Sequence, residues 1–85
     1  RAFSYPSRWN ALTGRYENTY FGQPEITRVV IVKNRLTLDG VDPLVPSANG
    51  TFELDTSTAS FGDYAQGRPQ VLTIDGTHLY RIDLP

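Results

Sequence analysis

Apolar and polar residues alternate with a period of two along most of the chain. Gly, Pro, Asn or Asp interrupts the alternation roughly every ten residues, as in a succession of short strands and tight turns. The clearest case is Arg28–Pro46, RVVIVKNRLTLDGVDPLVP. A two-residue loop at Lys33–Asn34 sets Val32 opposite Arg35, Ile31 opposite Leu36, Val30 opposite Thr37, Val29 opposite Leu38 and Arg28 opposite Asp39. Cross-strand partners share a face, so Val29, Ile31, Leu36 and Leu38 form one apolar face. The other face carries Val30, Val32 and Thr37, with an Arg28–Asp39 charge pair at its open end. Moving the loop to Asn34–Arg35 would set Lys33 against Leu36 and Val30 against Asp39, so the pattern selects the first register. Near the C-terminus, Asp75–Gly76 is a favoured mirror-turn pair. It places Ile74 opposite Thr77, Leu72 opposite Leu79 and Val71 opposite Tyr80. One face then holds Leu72, Ile74 and Leu79, and the other holds Val71, Tyr80 and Ile82 beside Thr73 and His78.

The same reading predicts strands over Arg15–Phe21, Ile26–Lys33, Arg35–Asp39, Thr51–Asp55, Thr58–Phe61, Gln70–Asp75 and Thr77–Asp83, with a short piece around Pro43–Val45. Turns are expected at Gly22–Pro24, Gly40, Ala48–Gly50, Thr56–Ser57 and Asp63–Arg68 besides the two hairpin loops. Helical pattern is confined to a single short turn within residues 7–13, with Ser7 as the expected N-cap and Gly14 as its end. The expected fold is all-β, a small antiparallel barrel or strongly curved sheet of about eight strands in a lipocalin-like meander. Residues 1–11, with Phe3, Tyr5 and Trp9 among polar residues, read as a linker that anchors an aromatic or two, onto this domain in the favoured reading and onto a missing one in the alternative. Residues 12–85 form the barrel.

Length sets the scale of the core. A single domain of 85 residues buries about two-thirds of its unfolded surface, so its core must be compact and closed. Cysteine is absent, which removes disulfides, thiolate zinc sites and a cysteine nucleophile. Methionine is absent too, even at position 1, so the expectation is a fragment or a processed product. Net charge is −1 with both signs scattered, so no basic patch is present to follow a phosphate backbone, and no nucleic-acid partner is expected. The longest apolar run, Val29–Val32, is too short to insert into a bilayer.

The residues that carry chemistry are few. His78 is the one histidine, and a triad would need Ser57 or Ser60 together with Asp75 to converge on it. No G-x-S-x-G elbow is present. Asp39, Asp42, Asp55, Asp63 and Asp75 fall at turns or strand ends, where Asp bonds local backbone. Asp39-Gly40-Val41-Asp42 lacks the further ligands of a calcium loop. The glycines are dispersed, so no phosphate cradle forms. Asn49-Gly50-Thr51 matches a glycosylation sequon and equally a tight turn into a strand, which is the reading adopted. The expectation is no catalytic residue, no metal and no cofactor.

Several segments in order resemble a known family. Leu12-Thr13-Gly14-Arg15-Tyr16 opens a strand, followed by RVVIVKNRLTLDG, Pro43-Leu44-Val45-Pro46 and Asn49-Gly50-Thr51-Phe52. Gly67-Arg68-Pro69-Gln70-Val71-Leu72-Thr73-Ile74-Asp75-Gly76 and Tyr80-Arg81 close the chain. This order resembles the small all-β domain C-terminal to β-lactamase-like, penicillin-binding-protein-like serine hydrolases of bacteria, over about residues 12–83. The family's Ser-x-x-Lys and Lys-Thr-Gly-like elements are missing. Tyr16-Glu17-Asn18 matches Tyr-x-Asn alone and reads as a strand anchor. The resemblance therefore implies a non-catalytic accessory domain, packed on the catalytic domain of the same parent chain, in the periplasm or secreted. Two sets of residues are singled out. Val30, Val32 and Tyr80 form a candidate domain interface, because both faces of both hairpins are partly apolar. Asp63, Tyr64, Gln66 and Arg68, in the stretch Gly62–Arg68, are candidates to rim the parent's cleft. Gly14-Arg15-Tyr16 also echoes the glycine–aromatic opening of lipocalin-like ligand-binding barrels, and a carbohydrate-binding or adhesion module is a further alternative.

Overall fold

The computed structural model describes residues 4–20 and 22–82. A 3-10 helix, Ser7–Leu12, precedes the strands β1 (Gly14–Tyr20), β2 (Gln23–Val32), β3 (Arg35–Leu38), β4 (Asp42–Pro43) and β5 (Val45–Pro46). A 3-10 turn, Ala48–Gly50, leads to β6 (Phe52–Leu54), β7 (Ser57–Ala65), β8 (Arg68–Ile74) and β9 (Thr77–Ile82). All nine belong to one antiparallel sheet in the order β4-β3-β2-β1-β9-β8-β7-β6-β5. The sheet curls until its two edges, β4 and β5, are separated in sequence by Leu44 alone, giving a nearly closed barrel. Leu44 is buried and its N–H bonds the Leu36 carbonyl at 2.8 Å. Pro43 and Pro46 sit on the two edges, where a residue without an N–H offers no donor to a foreign strand.

Both hairpins adopt the register expected from the pattern. Lys33 and Asn34 have φ of 51° and 67°, and Asp75 and Gly76 have φ of 49° and 83°, the left-handed pair a mirror turn needs. The contact between Arg28 and Asp39 differs from the expected charge pair. The Asp39 carboxylate accepts from the Arg28 backbone N–H at 3.0 Å, and the Asp39 N–H donates to the Arg28 carbonyl at 2.6 Å. Asp75 repeats the device, accepting from the Thr58 N–H at 3.1 Å and donating its own N–H to the Thr58 carbonyl at 3.1 Å. Each Asp follows a strand, turns the chain with a positive φ and clips it to a neighbouring strand.

Several boundaries shift from those expected. The piece around Pro43–Val45 is two short edge strands flanking Leu44, which raises the count to nine. The turn placed at Thr56–Ser57 falls one residue earlier, because Asp55 takes the left-handed conformation (φ 55°) and Leu54 pairs with Ser57. Gln23 and Pro24 already pair with Tyr20 and Thr19, so that turn is tighter than Gly22–Pro24. Phe3, Phe21 and Asp83 lie outside the described residues. The stretch Gly62–Arg68 is not a strandless loop. It is a third hairpin with Ala65 opposite Arg68 and a mirror turn at Gln66 (φ 54°) and Gly67 (φ 79°).

The inner face is filled. Tyr16, Val29, Leu36 and Leu72 are fully buried, with Leu38, Leu44, Phe52, Ala59 and Leu79 around them. Core packing runs across residue 12, because Trp9 and Leu12 of the 3-10 helix join the same cluster. Pro6 rather than Ser7 occupies the helix N-cap, and no side chain caps it. Rings run through the helix end of the barrel in series. Tyr5 stacks on Trp9 at 6.1 Å, Trp9 meets Phe52 edge-on at 6.4 Å, Phe52 meets Phe61 at 5.7 Å, and Phe61 meets Tyr16 at 6.0 Å.

Arg81 holds this end together. Its half-buried guanidinium donates to the carbonyls of Pro69 (2.6 Å), Thr13 (2.9 Å) and Ala11 (3.1 Å) and to the Tyr16 hydroxyl (2.6 Å). It also lies 4.8 Å from the Tyr16 ring centroid, and Tyr16 in turn donates to the Leu12 carbonyl at 2.7 Å. One side chain thereby joins the 3-10 helix, β1, β8 and β9. Gly14 makes room for it: φ is +141°, and a Cβ there would collide with the Arg81 guanidinium.

Candidate functional site

Two regions of the barrel hold the residues singled out from sequence. The first is the outer face. Ladder pairing sets Ile26 beside Glu17, Glu17 beside Tyr80, Tyr80 beside Val71 and Val71 beside Gly62. These residues form one lane across β2, β1, β9, β8 and β7, about 19 Å long at the usual strand spacing. Ile26 is 51% and Tyr80 54% exposed. Ile82, two residues beyond Tyr80, extends the apolar surface, and Arg15 and Arg28 flank it in the next lane. Val30 and Val32 share this outer face but sit apart from Tyr80. The turn after β3 folds back over them, so that a Cβ on Gly40 would lie 3.9 Å from a methyl of each. Val30 is half-buried and Val32 is 39% exposed. Ile26 was not singled out from sequence. Its signal was its place at the start of a strand whose partner, Glu17, also borders Tyr80, a relation that only the β1–β9 pairing creates.

The second region is the β7–β8 hairpin. In an ordinary strand Phe61 and Tyr64, three apart, point to opposite faces. Asp63 has φ 54° in the middle of β7, and the pairing passes from Gly62↔Val71 to Tyr64↔Pro69 without it. The register is the same on both sides of this left-handed residue, and Phe61 and Tyr64 both line one cavity. The cavity measures 420 Å3 and lies between the 3-10 helix, the turn before β6 and this hairpin. Its walls are Trp9, Leu12, Phe52, Phe61 and Tyr64, and among the described residues Arg8 is the one charged side chain on the lining. Of the four rim candidates, Tyr64 borders the cavity. Arg68 instead donates to the Thr13 carbonyl at 3.1 Å, Asp63 is exposed within β7, and Gln66 is exposed in the turn. Trp9 is 7% exposed, and its indole N–H is sealed from solvent with no acceptor among the described residues. Such a donor costs about 1–3 kcal/mol.

The triad candidates do not converge on His78, although Ser57 and Asp75 meet each other. His78 Nδ1 lies 2.9 Å from the Thr73 hydroxyl, as their expected cross-strand position implied. Thr73 separates it from Ser60, which pairs on Thr73's other side. Asp75 turns to the opposite neighbours: hydrogen bonds from the Ser57 side chain and the Thr58 backbone hold its carboxyl below the ordinary value of 3.8. Asn49, with φ 64°, forms the tight turn expected of it, closed by Thr51 Oγ1 donating to the Ala48 carbonyl at 3.1 Å. Among the described residues no three of His, Cys, Asp or Glu gather as metal ligands, and no helix is long and apolar enough to cross a membrane. The chain matches no protein-family model, no curated protein and no solved structure.

Proposed function

We propose that this chain is a non-catalytic accessory domain that docks through the outer face of β2, β1, β9 and β8 onto the catalytic domain of its own parent. The observation that carries the reading is the lane holding Ile26, Tyr80 and Val71, with Glu17 between the first two. The inner face of the same sheet already supplies the core, so a second apolar face is surplus in a free-standing barrel and matches a partner surface. The sequence resemblance favours a β-lactamase-like serine hydrolase as the parent. The encoding reading frame then carries a Ser-x-x-Lys motif upstream of Arg1, and its absence would exclude that parent. Docking itself is tested by Ile26→Lys with Tyr80→Lys, because both positions border Glu17 in the ladder and a carboxylate there would repel it. Both side chains are exposed, so the 85-residue chain keeps its melting temperature. In the full parent the same pair renders the junction between the domains several-fold more sensitive to limited proteolysis. An unchanged cleavage rate would overturn docking through this face. A second reading rests on the cavity beside Trp9: a barrel that holds a small molecule at its mouth, since its interior is filled.

A further inference from the structure

We infer that the cavity between the 3-10 helix and the β7–β8 hairpin binds a small carboxylate with an apolar or aromatic tail. The inference rests on this cavity alone and not on the docking face. At 420 Å3 the space lies within the range of small-molecule sites. Trp9, Phe52 and Phe61 already meet edge-on in its wall, so ring edges and faces are presented to an occupant rather than closed upon one another.

Charge selects the head group. Arg8 is the one charged side chain on the lining, is exposed, and has no carboxylate partner among the described residues. An anion entering tail-first leaves its carboxylate beside this guanidinium, at the rim where water still reaches both. A neutral tail of the same shape gains the apolar walls and forgoes the ion pair. A phosphorylated or polyanionic ligand would meet a single cation and little else.

Backbone strain supports the same place. Asp63 holds a left-handed conformation inside a strand, a cost of about 1 kcal/mol or more that persists only where the surroundings impose it. The next residue, Tyr64, borders the cavity and remains 59% exposed. Trp9 lines the same wall, while its indole N–H, sealed from solvent, has no acceptor among the described residues.

Trp9 is the single tryptophan, so one fluorophore and one indole N–H resonance report occupancy. Titration of the 85-residue chain with 4-phenylbutyrate is expected to shift both, saturably, below about 1 mM. 4-Phenylbutanamide, the neutral counterpart, should bind about threefold to fivefold more weakly, the scale of one exposed ion pair. Arg8→Gln should erase that preference while leaving the amide's affinity unchanged, and Tyr64→Ala should weaken both probes by about tenfold. Amide shifts of Tyr64 and Gly67 locate the site. No saturable change up to about 10 mM, shifts that map elsewhere, or a carboxylate preference that survives Arg8→Gln would each overturn the inference. Arg8 and Tyr64 are both exposed, so the variants retain the fold, checked by an unchanged melting temperature without ligand.

Discussion

Replacing Arg81 by methionine keeps an apolar stem of similar reach and removes every donor of the guanidinium. Not every acceptor is left bare. Thr13 retains the Arg68 guanidinium at 3.1 Å, and Tyr16 still donates to Leu12 at 2.7 Å. The carbonyls of Ala11 and Pro69 lose the cation outright. At about 1.5 kcal/mol for each charge-assisted bond, and about 0.5–1 kcal/mol for the contact with the Tyr16 ring, the loss is roughly 3–4 kcal/mol. Domains of this length have a total stability of roughly 4–13 kcal/mol. Each kcal/mol corresponds to about 4–8 °C, so thermal unfolding followed by circular dichroism should show a fall of at least about 12 °C. Arg81→Lys keeps the charge but has one nitrogen in place of a fork, and should recover less than half of the loss. A fall under about 4 °C for Arg81→Met, or a lysine variant equal to the parent sequence, would refute the guanidinium's role as the tie between helix and sheet.

Two further outcomes follow from the same framework. Gly14→Ala meets both a left-handed backbone and the Arg81 guanidinium, and should cost roughly 2–4 kcal/mol in urea denaturation. In an Arg81→Met background the penalty should shrink by about 1 kcal/mol or more, a coupling that a double-mutant cycle reads directly. Asp75 supplies the pH dependence. Its folded-state value lies below 3.8, so its contribution is present above that value and is lost as pH falls below it through the folded value. Between about pH 6 and about pH 2 the stability of Asp75→Asn should therefore fall less steeply than that of the parent sequence.

Hairpin registers were legible because period-two patterning leaves one solution whenever a turn is marked by residues that accept positive φ. Lys33–Asn34 and Asp75–Gly76 are such turns. Gln66–Gly67 adopts the same geometry, but glutamine is not a residue that announces it, and the approach Gly62-Asp63-Tyr64-Ala65 carries no clear alternation of apolar and polar residues. The hairpin therefore read as loop. Arg81 escaped notice for a different reason. Nothing local distinguishes an inward-facing arginine on a last strand from an exposed one, and its acceptors are backbone carbonyls, which carry no sequence signature. Phe52, Phe61 and Trp9 were recognisable as apolar. Their convergence on a cavity depends on barrel closure, which no local pattern encodes. Val30 and Val32 were placed on the correct face by register, yet their cover by the Gly40 turn depends on a chain reversal that sequence marks without directing.

Strand order in this barrel has a consequence for how the chain finds its fold. Every ladder joins strands consecutive in sequence except β1–β9, where Arg15 meets Ile82. That single pairing must close almost the whole polypeptide into a ring, at an entropic cost that grows with the logarithm of loop length. Hairpins can form early and independently, whereas the Arg81 tie and the outer lane through Tyr80 wait for the ends to meet. The two strands flanking Leu44 are neighbours in sequence yet lie at opposite edges of the sheet. A polypeptide rotated to begin at Val45 and end at Pro43, with Ile82 linked to Gly14, would build the same sheet entirely from successive hairpins. The barrel is in that sense a simple meander whose first and last strands meet at its middle, and the β1–β9 ladder is the one pairing that no hairpin supplies.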